Sequence, residues 1–133
     1  PIQIFNNGNM IRDFTYIGDI VESIYRILHK IPTPNNAFDK SNPDPASSFA
    51  PYRIFNIGNS QPVDLMKYIE AIEEIIGIQA KKLFLPMQPG DVKATFADST
   101  LLEREIQFKP SVSIQEGVGN FINWYKYFYK IDR

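Results

Sequence analysis

Residues 32–51 read PTPNNAFDKSNPDPASSFAP and hold five of the chain's ten prolines. Proline has no N–H to donate and fixes φ, so neither a helix nor a sheet ladder runs through such a stretch. The stretch is therefore a long loop, and it divides the chain. Loops beyond about 12–15 residues usually carry function or motion. What can fold lies on either side of it.

Before the loop, IQIF (2–5) predicts a short strand. NNGN (6–9) predicts a turn, because Asn and Gly tolerate positive φ. DFTYI (13–17) has the aromatic and β-branched content of a second strand. Asp19 with Glu22 three residues on predicts a capping box. Ile20, Val21, Ile24, Ile27, Leu28 and Ile31 then follow at helical spacing, which predicts an amphipathic helix over 19–31.

After the loop, YRIFNIG (52–58) predicts a strand, and Pro62 suits the first turn of the next helix. Val63, Leu65, Met66, Ile69, Ile72, Ile75 and Ile76 give that helix an apolar face, and Gly77 is its stop. AKKLFLP (80–86) predicts a strand and MQPGD (87–91) a turn. Thr100 with Glu103 opens a short helix to Ile106. Ser113 with Glu116 caps a last one, striped by Val118, Phe121, Ile122, Tyr125, Phe128 and Tyr129. The result is an α/β chain of few strands and four helices, with parallel pairing expected for at least one strand pair.

Composition narrows function. A chain of 133 residues fits one domain with its own core. The net charge of −1 gives no basic surplus to draw nucleic acid or an anionic membrane surface as a partner. There is no cysteine, so disulfides and thiolate chemistry are out, and a reducing compartment is permitted. No apolar run approaches the roughly 20 residues needed to span a bilayer, and residues 1–10 do not read as a signal peptide. A cytoplasmic location is the expectation. The chain opens at Pro1 straight into a strand-like run, which predicts that it is part of a longer protein.

Chemistry has few candidates. His29, the one histidine, sits near a helix end beside Lys30, where a cation complements the helix dipole. With one His and no Cys, a metal site has little to build on. NIGNS (56–60) stands between a strand and a helix like a phosphate loop, but a single glycine there also makes an ordinary turn. Arg12 is either a strand-end ion-pair partner or a bidentate fork for a phosphate. Asp91, on the PGD turn, is either solvated or an acceptor for vicinal hydroxyls. The Trp- and Tyr-rich NWYKYFY segment (123–129) packs a core by its spacing or offers an interface.

Taken together, IRDFTYIGDIV, NPDPASSFAPYRIFNIGNS, LPMQPGDVKATFADS and FKPSVSIQEGVGNFINWYKYFY resemble one family along essentially the whole chain. They look like the carboxyl-terminal, substrate-binding part of an extended short-chain dehydrogenase/reductase, and within that class a UDP-glucuronate 4-epimerase. The resemblance implies a UDP-sugar substrate and a tightly bound NAD in the full-length enzyme. It also implies an amino-terminal Rossmann domain that is absent from this chain.

That domain would carry the NAD site and the catalytic tyrosine and lysine. This chain has no GxGxxG, and no tyrosine in it is followed four residues later by lysine. The resemblance therefore implies no catalytic and no cofactor-binding residue here, and no activity for the chain alone. On matching motifs it assigns Arg12 to the UDP diphosphate and Asp91 to the ribose. Gln3 and Phe5 fall on the strand that brackets the uracil, and Val63 lines the nucleotide pocket. Gln88 stands where relatives carry a second phosphate-binding arginine, so it brings an amide without a charge. Phe14 takes a position often held by tyrosine, without the hydroxyl. Residues 1–133 are expected to form one nucleotide-sugar-binding domain whose apolar surface, uncovered by the Rossmann half, favours self-association. A decarboxylase or dehydratase of the same family, or a stand-alone binding module, are the alternatives.

Overall fold

In the computed structural model, residues 1–131 are described; Asp132 and Arg133, the end of the expected unit, lie outside the described residues. Four strands and four helices occur among them: β1 (Ile2–Ile4), β2 (Ile11–Arg12), α1 (Ile17–Ile27), β3 (Val63–Asp64), α2 (Leu65–Ile76), β4 (Lys82–Phe84), α3 (Thr100–Ile106) and α4 (Ile114–Tyr129). The strands form two small ribbons. β1 pairs parallel with β4, Gln3 opposite Leu83, and β2 pairs antiparallel with β3, Arg12 opposite Val63. The parallel pairing expected from the sequence is thus the β1–β4 ribbon.

Between β1 and β2 the chain makes a tight turn over Phe5–Gly8, with positive φ at Asn6, Asn7 and Gly8. The turn predicted at 6–9 forms where Asn and Gly permit it. Phe5 opens this turn and is not part of the strand that also carries Gln3, which corrects the predicted 2–5 strand by one residue.

Two predicted strands do not form. No residue of 13–17 pairs in a ladder; Ile11–Arg12 just upstream does, and α1 already begins at Ile17. Residues 52–58 are irregular, with one isolated bridge from Arg53 back to Ser47. β-branched and aromatic residues favour a strand only where a neighbouring strand supplies the pairing. Pro62 stands before β3 and does not begin a helix; α2 starts at Leu65.

Helix ends follow local chemistry. α2 stops at Gly77, where φ is 74°, a left-handed conformation that glycine adopts without strain. Ser113 caps α4, its side chain accepting the Glu116 N–H at 3.2 Å. α3 starts at Thr100 as expected, but the cap residue is Ser99; its hydroxyl donates to Glu103 at 3.0 Å, and Asp98 accepts the Thr100 N–H at 3.0 Å.

Asp19 is not a cap. It lies in the first turn of α1, buried, and Oδ2 accepts N–H bonds from Ser111 at 2.9 Å and Val112 at 3.0 Å. Glu22 turns to Arg26 along the helix at 2.6 Å instead of closing a capping box.

The core is small. Ile69 and Ala71 of α2, Val118 and Ile122 of α4, and Leu102 and Ile106 of α3 are buried; α2 packs on α4 and α3 on α1. The proline-rich loop is folded on itself: Ser47 is buried, takes a bond from Asn35, and donates to Asp44 at 2.7 Å. That hydroxyl, followed by the Ala46 N–H, holds the Asp44 carboxyl below its ordinary value.

Candidate functional site

The segment after β4 returns to β2. Ile11 N–H donates to the Lys93 carbonyl at 2.9 Å and the Thr95 N–H to the Ile11 carbonyl at 3.2 Å, so Ile11 lies parallel to Ala94. β2 is thereby flanked by β3 on one side and by residues 93–95 on the other. This local ladder brings Arg12, Val63 and Asp91 together.

Arg12 and Asp91, the two residues assigned to a nucleotide, are in contact with each other. Arg12 Nη2 donates to Asp91 Oδ1 at 3.0 Å, with both side chains about three-quarters buried. Nη1 donates to the carbonyls of Ile11 at 2.8 Å and Lys93 at 3.2 Å. Guanidinium carries five N–H groups; among the described residues these bonds engage three and leave two. Asp91 Oδ1 also accepts the Val92 N–H at 2.8 Å. The ion pair and the ligand contact, alternatives in the sequence, are compatible in one place. A fork fixed on one edge by a carboxylate and two carbonyls is oriented before any ligand arrives.

The other assigned residues are distributed. Val63 is half-buried opposite Arg12. Gln88 is exposed, and its carbonyl closes the PGD turn by accepting the Asp91 N–H at 3.2 Å. Gln3 is exposed on β1, and Phe5 is half-buried at its end. Phe14 stacks on Tyr68 of α2, ring centroids 4.1 Å apart, and lines a cavity of about 640 Å³ that α2 and α4 enclose with Tyr16 and Tyr125. None of the other six assigned residues lines that cavity. Its walls are mainly apolar, so this cavity and the polar cluster are different places.

NIGNS is a structural turn tied to Asp13. Asp13 Oδ2 accepts N–H bonds from Ser60 at 3.0 Å and Ala97 at 3.2 Å, and Oδ1 one from Gln61 at 3.4 Å. A Cβ at Gly58 would stand 2.6 Å from the Ala97 Cβ and 3.1 Å from Asp13 Oδ2, so only glycine lets the turn lie this close. Sequence spacing could not reveal this three-way tie, because its donors are backbone groups 47, 48 and 84 residues away. His29 meets the edge of Tyr25, at 5.4 Å between centroids, on the exposed end of α1. Among the described residues, no group of three His, Cys, Asp or Glu side chains gathers to hold a metal. No helix among them is long and apolar enough to cross a membrane.

The family model described as GDP-mannose 4,6 dehydratase matches residues 2–121. This chain belongs to that family. Protein CapI of Staphylococcus aureus is 50% identical over 129 residues, which cover 97% of this chain and 39% of that protein. A probable UDP-glucuronate 4-epimerase of Rhizobium meliloti is 48% identical over 132 residues, covering 98% of this chain and 38% of its own length. Among solved structures, the Bacillus cereus UDP-glucuronic acid 4-epimerase in complex with UDP-glucuronic acid and NAD matches with a TM-score of 0.73 at 29% identity. That match covers 97% of this chain and 36% of that one. The chain thus spans about two fifths of the length of these relatives, and its four helices and few strands match the carboxyl-terminal part of epimerase and dehydratase structures.

Proposed function

We propose that residues 1–133 are a single UDP-sugar-binding domain of an NAD-dependent nucleotide-sugar epimerase, one that interconverts UDP-glucuronate and UDP-galacturonate in the cytoplasm. The observation that carries this reading is the Arg12 fork. It is fixed on one edge by Asp91 and two carbonyls, with two N–H groups left for an anion. Arg12 takes the diphosphate, and Asp91 accepts from the ribose hydroxyls through Oδ2. Val63 gives the pocket an apolar wall. The backbone at Gln3 and Phe5 brackets the uracil. Gln88 offers a neutral amide beside the phosphates. Phe14, stacked on Tyr68, supports β2 from the cavity side.

The residues of this chain do not fit a dinucleotide, since it has neither the glycine fingerprint nor a tyrosine–lysine pair at the required spacing. NAD, and the hydride exchange at C4 of the sugar, are therefore assigned to the remainder of the longer protein, and this chain contributes no catalytic residue. Its work is to hold the nucleotide handle so that the sugar is presented in one orientation.

Relatives named as UDP-glucuronate 4-epimerases support the choice of reaction. The family description itself names a dehydratase, which keeps a second reading open: the same binding domain serving a dehydratase or decarboxylase. Turnover of UDP-glucuronate by the full-length protein separates them, with UDP-galacturonate as the expected product. UDP-pentose as the main product would replace the epimerase by a decarboxylase. In the same protein, Arg12→Ala is expected to weaken UDP binding by about 1.5–3 kcal/mol, because a charged hydrogen-bond partner is lost. That is roughly tenfold to over a hundredfold by calorimetry, and unchanged affinity would remove Arg12 from the site.

A further inference from the structure

The return of residues 93–95 alongside β2 sets a second cation next to Arg12. The Lys93 carbonyl accepts the Ile11 N–H at 2.9 Å and a bond from Arg12 Nη1 at 3.2 Å. Lys93 therefore touches the guanidinium through its backbone, and its side chain starts beside the fork. It is exposed, and among the described residues it makes no ion pair, whereas Arg12 is matched by Asp91. The Arg12–Asp91 pair is neutral as a unit, and Lys93 is the cation next to it in the fold.

Building on the function proposed above, we infer that Lys93 is the second phosphate-binding cation of the nucleotide site. A diphosphate brings more negative charge than one arginine can offset when a carboxylate already shares it. Gln88, on the same loop, carries no charge. An ammonium on a four-carbon stem serves here as a mobile point charge, complementing the fixed fork of Arg12. The loop thus carries at Lys93 the charge that it lacks at Gln88.

The test uses the full-length protein, titrated calorimetrically with UDP and with uridine at low and high salt. Lys93→Ala is expected to weaken UDP about tenfold, to leave uridine unchanged and to flatten the salt dependence of UDP binding. Lys93→Arg should retain affinity, and Gln88→Arg should restore it in the Lys93→Ala background. Lys93 is exposed, so an unchanged melting temperature is expected and serves as the folding control. Wild-type UDP affinity in Lys93→Ala, or equal losses for UDP and uridine, would overturn the inference while leaving the function intact. An unsubstituted protein that binds no UDP would overturn both.

Discussion

Asp13 and Glu73 are carboxylates placed to hold backbone together. Asp13 collects N–H groups from Ser60, Gln61 and Ala97, joining the start of the chain to two distant turns. Asp13→Ala would strand those donors, and an unsatisfied donor costs about 1–3 kcal/mol. A clear fall in the thermal midpoint of the full-length protein is the expected result; a midpoint within a degree or so of the wild type would dismiss the tie. Glu73 is held below its ordinary value by the Lys82 ammonium first and the Ala80 N–H second. A carboxylate with a depressed folded-state pKa stabilises the fold above its unfolded pKa, and that contribution is lost as pH falls through the folded value. Acidification below about pH 4.5 should therefore weaken the α2–β4 connection, and Glu73→Gln should flatten that part of the pH–stability profile. Identical acid profiles for the two proteins would exclude this coupling. Neither role was legible in sequence. Both depend on partners supplied by folding, most of them backbone groups.

Elements differ in how far their own residues determine them. α2 and α4 were legible because apolar spacing, a capping serine and a stop glycine agree over a long stretch. Ser113→Ala should accordingly cost about 1 kcal/mol, read as a lower thermal midpoint, and Ser113→Asp should keep it; equal midpoints for Ser113→Ala and the wild type would deny the cap its role. Strands were less legible. Residues 52–58 have strand composition, yet no ladder forms along them. The pattern specifies a surface suited to pairing, and pairing needs a second strand. The two-residue ribbons at β2 and β3 have the opposite character: too short for any periodicity to mark, they are fixed by the return of 93–95 alongside. The candidate site sits on that ribbon. Its residues could be read by family resemblance, while the contact between Arg12 and Asp91 could be read only from the fold.

At the scale of the molecule, α1 is turned inside out for a chain standing alone. Asp19 and Ser23 are its buried residues, while Leu28 is 72% exposed and Val21 58%. Of the stripe that reads as core in sequence, Val21, Ile24, Leu28 and Ile31 are exposed, as are Phe121, Trp124 and Phe128 along α4. Apolar surface of this kind on α1 marks a face that another body covers. The relatives are more than twice as long as this chain, so the rest of the longer protein is the expected cover. Burial of apolar area stabilises by about 25 cal/mol per Å², so substitutions on this face should matter in opposite directions in the two settings. Residues 1–133 expressed alone should bind a hydrophobic dye and sediment as a concentration-dependent mixture. Val21→Lys with Leu28→Lys should make that fragment more monomeric. In the full-length protein the same pair of substitutions should lower the melting temperature, because two ammonium groups would be buried without partners. A fragment that stays monomeric at every concentration, together with a full-length protein indifferent to both lysines, would mean that water already covers this face in the native molecule.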